Sequence, residues 1–409
     1  MILPAGTVRM AEGQRERKNG MLNYIHSIPT QVFFGKGQIS HLTGILGAYG
    51  KRVLLTYGGG SVKRIGLYDE VMKLLHDGGF EVTELSGIEP NPRIQSVEKG
   101  VLLCRQNRID VILAVGGGST IDCSKAIAAG IYYEGSDLWE MVRNARSLQK
   151  ALPLVDILTL SATGSEYDSG AVITNLDTHE KLGRTFTYPA ASICDPTYTF
   201  SVSAYQTAAG SADIMSHIFE GYFSETQDSC LSDGIAETVL KTVIRYCPIA
   251  IAKPDNYEAR ANLMSASSIA CSGIPEYGKQ RTGWPCHAME HELSAYYDIT
   301  HGVGLAILTP RWMRFILRKN PACAWRFAML GRNVLGLTGE DEAGMAEQVV
   351  SAIENFFHTV GLPSSLRELK IGSEHFAEMA VHANQNERLS HAFVPLTTDD
   401  LTAIYHDCL

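Results

Sequence analysis

Residues 111–129 read VILAVGGGSTIDCSKAIAA, and this stretch decides the fold class. Five apolar residues, Val111–Val115, run straight into Gly116-Gly117-Gly118. A helical pattern from Thr120 to Ala129 follows, with Ser119 placed as its N-cap. Glycines let a backbone approach a ligand closely, and the first-turn N–H groups of the following helix suit a phosphate. The motif is not the usual fingerprint: Ile121 stands where Gly-x-Gly-x-x-Gly needs its third glycine, and no Walker A sequence is present. A tight strand-to-helix turn without a ligand would read the same way. The same grammar recurs, however. Arg52–Tyr57 ends in Gly58-Gly59-Gly60-Ser61, and the apolar run Leu154–Leu160 leads into TLSATGSE at 159–166. Three small-residue turns at the carboxyl ends of strands are expected to line one crevice of an open α/β sheet.

Outward from these turns, strands over Val32–Phe34, Arg52–Tyr57, Glu81–Leu85, Val111–Val115 and Leu154–Leu160 alternate with helical patterns such as Tyr68–Asp77 and Ile94–Asn107. That alternation predicts βαβ units and a largely parallel sheet. After about Ser203 the segments Ser211–Phe223, Gly234–Cys247 and Glu258–Ser272 all carry helical spacing. The predicted organisation is a polar, flexible extension over 1–20, an α/β domain over 21–202 and an all-α domain over 203–409. At 45% hydrophobic and 19% charged, the 409 residues can bury large cores, which excludes bulk disorder. With 35 basic and 44 acidic residues the net charge is −9, which argues against global attraction to nucleic acid or an anionic membrane. No apolar run approaches the ~20 residues that span a bilayer. Nine cysteines without a Cys-x-x-Cys pair read as reduced, packing thiols of a cytoplasmic protein.

The second half carries a different chemistry. Asp213 and His217 stand four apart in a helical pattern, so they face the same way. His287 and His291 repeat that spacing, and His301 follows before Gly302. His and Asp on facing helices are how bundles build metal sites. Three imidazoles with one carboxylate suit Fe(II), Zn(II), Co(II) or Ni(II) rather than Ca(II) or Mg(II). Which four of the five bind is open on spacing alone, since an imidazole serves equally well as a proton carrier. Read by itself, His287-Ala288-Met289-Glu290-His291 also fits the inverted zinc-peptidase pattern, with Glu290 as general base. Another alternative is a nucleotide-binding protein with a catalytically decayed site.

Taken together, these blocks resemble the iron-containing (group III) alcohol dehydrogenase family, and within it the NADP-dependent, butanol-dehydrogenase-like branch. The resemblance runs from Met21 onward through GGGSVK at 58–63, NP at 91–92, GGGSTIDCSKAI at 116–127, TLSATGSE at 159–166, Lys181, DPTYT at 195–199, GSADIMSHIFEGY at 210–222 and GWPCHAMEHELSAYYDITHG at 283–302. It departs from the broad pattern at Ser161-Ala162, Asp168 and Gly170. It implies a Rossmann-like domain followed by a helical domain, with the active site in the cleft between. It also implies a homodimer and hydride transfer between NADP(H) and a small primary alcohol or aldehyde. Position by position, Asp213, His217, His287 and His301 would hold one divalent metal, Fe2+ first and Zn2+ next, and His291 would serve proton transfer. Asn91, Gly117, Gly118, Ser119, Asp122, Thr159, Leu160, Thr163 and Lys181 would line the dinucleotide. In NAD-preferring members an Asp occupies the turn after the Arg52–Tyr57 strand. Here residues 57–64, YGGGSVKR, hold no acid. Gly59, Gly60 and Ser61 could then donate to a 2′-phosphate, which predicts a preference for NADP(H) over NAD(H).

Overall fold

The structure, a computed structural model, describes residues 20–144 and 150–409. The extension expected over 1–20 lies outside the described residues apart from Gly20. The strands are β1 (Gln31–Phe34), β2 (Arg52–Tyr57), β3 (Glu81–Leu85), β4 (Val111–Gly116), β5 (Leu154–Leu158), β6 (Gly170–Asn175), β7 (Glu180–Thr185) and β8 (Ala191–Cys194). Six form one parallel sheet in the order β1-β8-β5-β4-β2-β3, while β6 and β7 form an antiparallel hairpin. The helices that accompany them are α1 (Leu42–Gly47), α2 (Ser61–Arg64), α3 (Leu67–Asp77), α4 (Ile94–Asn107), α5 (Gly118–Gly130) and α6 (Leu138–Arg143).

Period-two alternation explains why the sheet is covered on both faces. Val53, Leu55, Val111, Leu113 and Val115 pack with Leu42 and Leu46 of α1 and Val71 and Leu75 of α3. Their neighbours Leu54, Ile112 and Ala114 point the other way, into Val97 and Val101 of α4 and Ile127 of α5. From β2 the chain proceeds outward to β3, and from β4 it proceeds the opposite way to β5. The order therefore reverses between β2 and β4, where open α/β sheets bind ligands.

The chain forms two compact units, His26–Val202 with Lys253–Ser272, and Ser203–Ala252 with Gly273–Leu409. The second unit holds α7 (Ala204–Tyr222) and α8 (Cys230–Ala252), and the helix between them and the rest, α9 (Tyr257–Ala270), belongs to the first. The helical domain expected over 203–409 is thus interrupted by residues 253–272, which pack with the sheet. The reason lies at Gly164, whose φ is +69° and whose Cβ, if present, would stand 2.8 Å from both Ser267 O and Cys271 Cβ. The glycine turn after β5 lies directly on α9. Beyond it the second unit continues with α10 (Pro285–Tyr297), α11 (His301–Lys319), α12 (Ala324–Leu330), α13 (Glu342–Thr359), α14 (Phe376–Ala383) and α15 (Thr398–Asp407). At the end of α7, the fully buried Arg326 donates to Tyr222 O at 2.7 Å and to both oxygens of Asp233 at 3.0 and 2.5 Å. That anchors the helix carrying Asp213 and His217. No helix among the described residues is long and apolar enough to cross a membrane.

Candidate active site

In the first unit the three glycine turns sit side by side, because β5, β4 and β2 are parallel neighbours. The helix after β4 begins at Gly118 with Gly117 as its N-cap, two residues earlier than the Ser119 cap expected. Thr120 N and Ile121 N already donate to Gly117 O. The amides of Gly118 and Ser119 have no carbonyl one turn back. A side chain at Gly118 is sterically barred, since its Cβ would lie 2.2 Å from Thr163 Oγ1. Gly117 Cβ would come 3.3 Å from Leu160 Cβ, and Thr159 N donates to Gly116 O at 3.0 Å. Thus Gly117, Gly118, Ser119, Thr159, Leu160 and Thr163 converge at one place. Asn91 has a left-handed φ of 51° beside Pro92, whose carbonyl accepts from Thr174 N at 2.9 Å. Thr174 is the cross-strand partner of Lys181, so these two expected contacts, 90 positions apart, are also neighbours.

Asp122 differs from its expected role. One of its oxygens accepts from Ser165 Oγ at 2.5 Å and the other from Val172 N at 2.9 Å. Burial, partly offset by Lys125 and these hydrogen bonds, pushes its carboxyl up to about 6. Both oxygens are engaged within the protein, tying α5 to the 159–166 turn and to β6. Nearby, the buried Lys125 donates to Asp168 Oδ1 at 2.8 Å and Gly170 O at 2.7 Å, which gives those two divergent positions a structural partner.

The turn after β2 carries Gly59, Gly60 with φ +106°, and Ser61 as the first residue of α2. Lys63 Nζ lies 4.3 Å from the Tyr68 ring centre and 5.1 Å from that of Tyr57. Those phenols both donate to Glu84 on β3, Tyr57 at 2.7 Å and Tyr68 at 3.0 Å.

In the second unit Asp213 and His217 on α7 meet His287 on α10 and His301 at the first position of α11. The Nε2 atoms of His217, His287 and His301 stand 3.5, 3.7 and 3.6 Å from Asp213 Oδ1. Four donors about 2.1 Å from one ion would stand about 3.4 Å apart in a tetrahedron. Asp213 Oδ1 and His287 Nε2 are buried and have no hydrogen-bond partner among the described residues. Buried polar atoms left this way call for an ion or a water, so the donor set fits a divalent metal. Burial takes His217 down to about 3, overcoming the pull of Asp213, so it is a neutral imidazole at neutral pH. Burial acts upward on Asp213, but the neighbouring imidazoles bring its carboxyl below the ordinary range. His287 is lowered by burial but raised more by Asp213 and Glu220, to about 9.

Two carboxylates that the sequence reading missed as positioning groups lie behind the ligands. Glu220 Oε1 accepts from His287 N at 2.9 Å and pairs with His287 Nδ1 at 3.2 Å. Glu290 Oε2 pairs with His301 Nδ1, while its Oε1 accepts from Ser294 Oγ. Such partners fix the tautomer and turn Nε2 toward the ion. Glu220 stands three residues after His217 and Glu290 three after His287, a helical spacing that could have flagged both. Glu290 is fully buried and held between His301 and Ser294. With one oxygen on His301 Nδ1 and the other on Ser294 Oγ, Glu290 is placed to orient a ligand, which disfavours the inverted zinc-peptidase reading. The His291 ring lies 6.3 Å from that of His287 and 5.7 Å from that of His301, beside the donor set.

Two family models match the chain. One, for iron-containing alcohol dehydrogenases, covers residues 29–196, and the other, for the C-terminal part of the Fe-containing alcohol dehydrogenase family, covers 207–409. The chain belongs to the iron-containing alcohol dehydrogenase family. As a member it is an oxidoreductase that works on alcohols or aldehydes with a nicotinamide cofactor, and a decayed binding protein is not favoured. Among relatives, the NADH-dependent butanol dehydrogenase A of Clostridium acetobutylicum is 51% identical over 389 residues, 94% of this chain and 99% of its own. The NADPH-dependent aldehyde reductase YqhD of Escherichia coli is 35% identical, over 85% of this chain and 89% of its own. The crystal structure of NADH-dependent butanol dehydrogenase A from Thermotoga maritima superposes with a TM-score of 0.89. It is 38% identical and covers 95% of this chain and 99% of its own. The α/β domain and helical domain described above are this family's fold.

Proposed function

We propose that the chain interconverts a small primary alcohol of the butanol class and its aldehyde, using NADP(H) and one divalent metal, Fe2+ before Zn2+, as a cytoplasmic homodimer. The observation that carries the metal reading is the convergence of three Nε2 atoms on Asp213 Oδ1 within 3.7 Å. Asp213, His217, His287 and His301 are the ligands in this reading. A divalent cation there supplies a Lewis acid for the substrate oxygen, and the nicotinamide supplies or accepts the hydride. Asp213 contributes the one negative charge among the four ligands and offsets part of the ion's. Glu220 and Glu290 hold His287 and His301 as correctly protonated ligands. His291 moves the proton that the substrate oxygen gains on reduction and loses on oxidation. Asn91, Gly117, Gly118, Ser119, Thr159, Leu160, Thr163 and Lys181 line the dinucleotide, with Asp122 acting through Ser165.

The NADP(H) reading rests on the turn after β2, which offers Gly59, Gly60 and Ser61 as donors and no carboxylate. The carboxylate on the adjoining strand, Glu84, is already engaged by Tyr57 and Tyr68. The two relatives above divide on this point by their names, one NADH-dependent and one NADPH-dependent. The cytoplasmic reading follows the cysteines, several of which are packed as thiols: burial raises Cys104 and Cys408 to about 12.

The test is loss of 340 nm absorbance with NADPH and butanal, set against NADH and against C2 to C8 aldehydes. Activity on none of them would overturn the substrate reading. His291→Ala is expected to keep its metal while turnover falls roughly 10²-fold, the usual loss when acid–base help is removed. Metal loss in His291→Ala together with metal retention in His287→Ala would reverse the two assignments.

A further inference from the structure

Strained backbone gathers around one turn of the second unit. Trp284, the residue before Pro285 and the N-cap of α10, has φ 56° and ψ 66°. Gly283 before it has φ 76°. A residue preceding proline relaxes toward extended backbone, and a bulky side chain disfavours the left-handed region, so the surroundings must hold Trp284 there. The segment that holds it is itself strained: Asn386 and Glu387 have φ of 57° and 52°. Arg388 Nη2 donates to Gly283 O at 2.8 Å. The loop lies flush on the turn, because a Cβ at Gly283 would stand 2.7 Å from Arg388 O and 3.1 Å from Leu389 Cδ2. Leu389 is buried, its N–H bonded to Asn384 Oδ1 and its carbonyl to Leu396 N, which anchors the loop. Burial pushes the Glu276 carboxyl up, and Lys279, Arg281 and the nearby Trp284 partly offset this. Clamped in this way, the indole lies 4.9 Å from the His287 ring and 5.6 Å from the His217 ring, centre to centre.

We propose that Trp284 covers the His217–His287 side of the metal-binding cluster and that Arg388 is a positioning residue that holds it there through Gly283. The inference rests on the metal reading above. Two imidazoles are kept dry under the indole, while the His301 side chain, 23% exposed, marks the side on which the cluster opens. An ion seated there can then exchange with bulk water only from one side. Burial lowers the Arg388 guanidinium, and the Glu220 and Glu292 carboxylates partly offset this, so Arg388 also lies in the field of the carboxylate that orients His287.

The experiment loads metal-free full-length protein with Co(II), a d–d absorber whose uptake and release are visible. It reads indole fluorescence and the rate of Co(II) loss to EDTA in wild type, Trp284→Phe, Arg388→Ala and Arg388→Lys. Wild type should quench on loading. Trp284→Phe should lose most of that quench, and Arg388→Ala should release Co(II) on the order of 10-fold faster, with Arg388→Lys restoring most of the difference. Equal release from Arg388→Ala and wild type, or an undiminished quench in Trp284→Phe, would overturn the inference alone. Failure of wild type itself to take up Co(II) would overturn the metal reading together with it.

Discussion

A Gly302→Ala variant should fold and yet lose most of its metal and activity. Gly302 follows His301 in the first turn of α11, where that helix crosses α7. A methyl group at residue 302 would lie 1.9 Å from Ala209 O and 2.6 Å from Ala209 C. Both are backbone atoms of α7, four residues before Asp213, so no rotamer change relieves the contact. The helices must part by more than an ångström, and His301 Nε2 moves with α11 away from Asp213. Overpacking of this kind costs about 1–3 kcal/mol, which a buried helical unit tolerates. Displacing a ligand by that distance costs far more in function, roughly 10²-fold or greater in turnover. Metal content per chain, turnover and thermal unfolding measured together test the claim. Unchanged metal and turnover would show that α7 and α11 do not set the ligand geometry.

The second large effect is expected at the turn after β2. Gly59→Asp should lower kcat/KM with NADPH on the order of 10²-fold while leaving NADH within a few-fold. Gly59 suits the substitution because its backbone is not left-handed and its Cβ would meet no atom within 4 Å. Gly60, with φ +106°, would add strain and confuse the result. The Asp effect is therefore electrostatic. A carboxylate repels the 2′-phosphate, and like charges brought together cost several kcal/mol at a desolvated contact. Toward NAD(H) the same carboxylate can accept from ribose hydroxyls. A wild-type preference for NADH, or equal losses with both cofactors, would show that the turn does not select NADP(H).

Where local pattern and tertiary position agree, the sequence was sufficient. Arg52–Tyr57, Glu81–Leu85 and Ile94–Asn107 appear in the structure with the bounds read from alternation and helical spacing. The β6–β7 hairpin and β8 were missed for a physical reason. Glu180–Thr185 is polar and only half-buried, and Ala191–Cys194 is four residues long, too short for periodicity to register. The strand after residue 154 ends at Leu158 rather than Leu160, since the chain turns as soon as Thr159 N reaches Gly116 O. Helical spacing also says nothing of which core a helix joins; Gly164 under Ser267 and Cys271, Met264 in the core beneath the sheet and Ser268 Oγ on Glu166 show that α9 packs with the sheet. At the site, the ligand candidates were legible because helix periodicity puts them on one face. Asp122 was harder, because a motif position cannot show that Ser165 and Val172 already occupy both oxygens. Glu220 and Glu290 were legible in spacing and overlooked, and their role emerges only from the Nδ1 contacts.

The most direct test of the central claim is metal analysis of the wild-type chain and an Asp213→Asn variant after both are dialysed against chelator and reloaded with Fe2+ or Zn2+. Asn keeps the shape and removes the charge that offsets the ion. Wild type should retain about one metal ion per chain, and Asp213→Asn should retain little, with turnover lost in proportion. Full metal content and full activity in Asp213→Asn would contradict the assignment of Asp213, His217, His287 and His301 as the metal site.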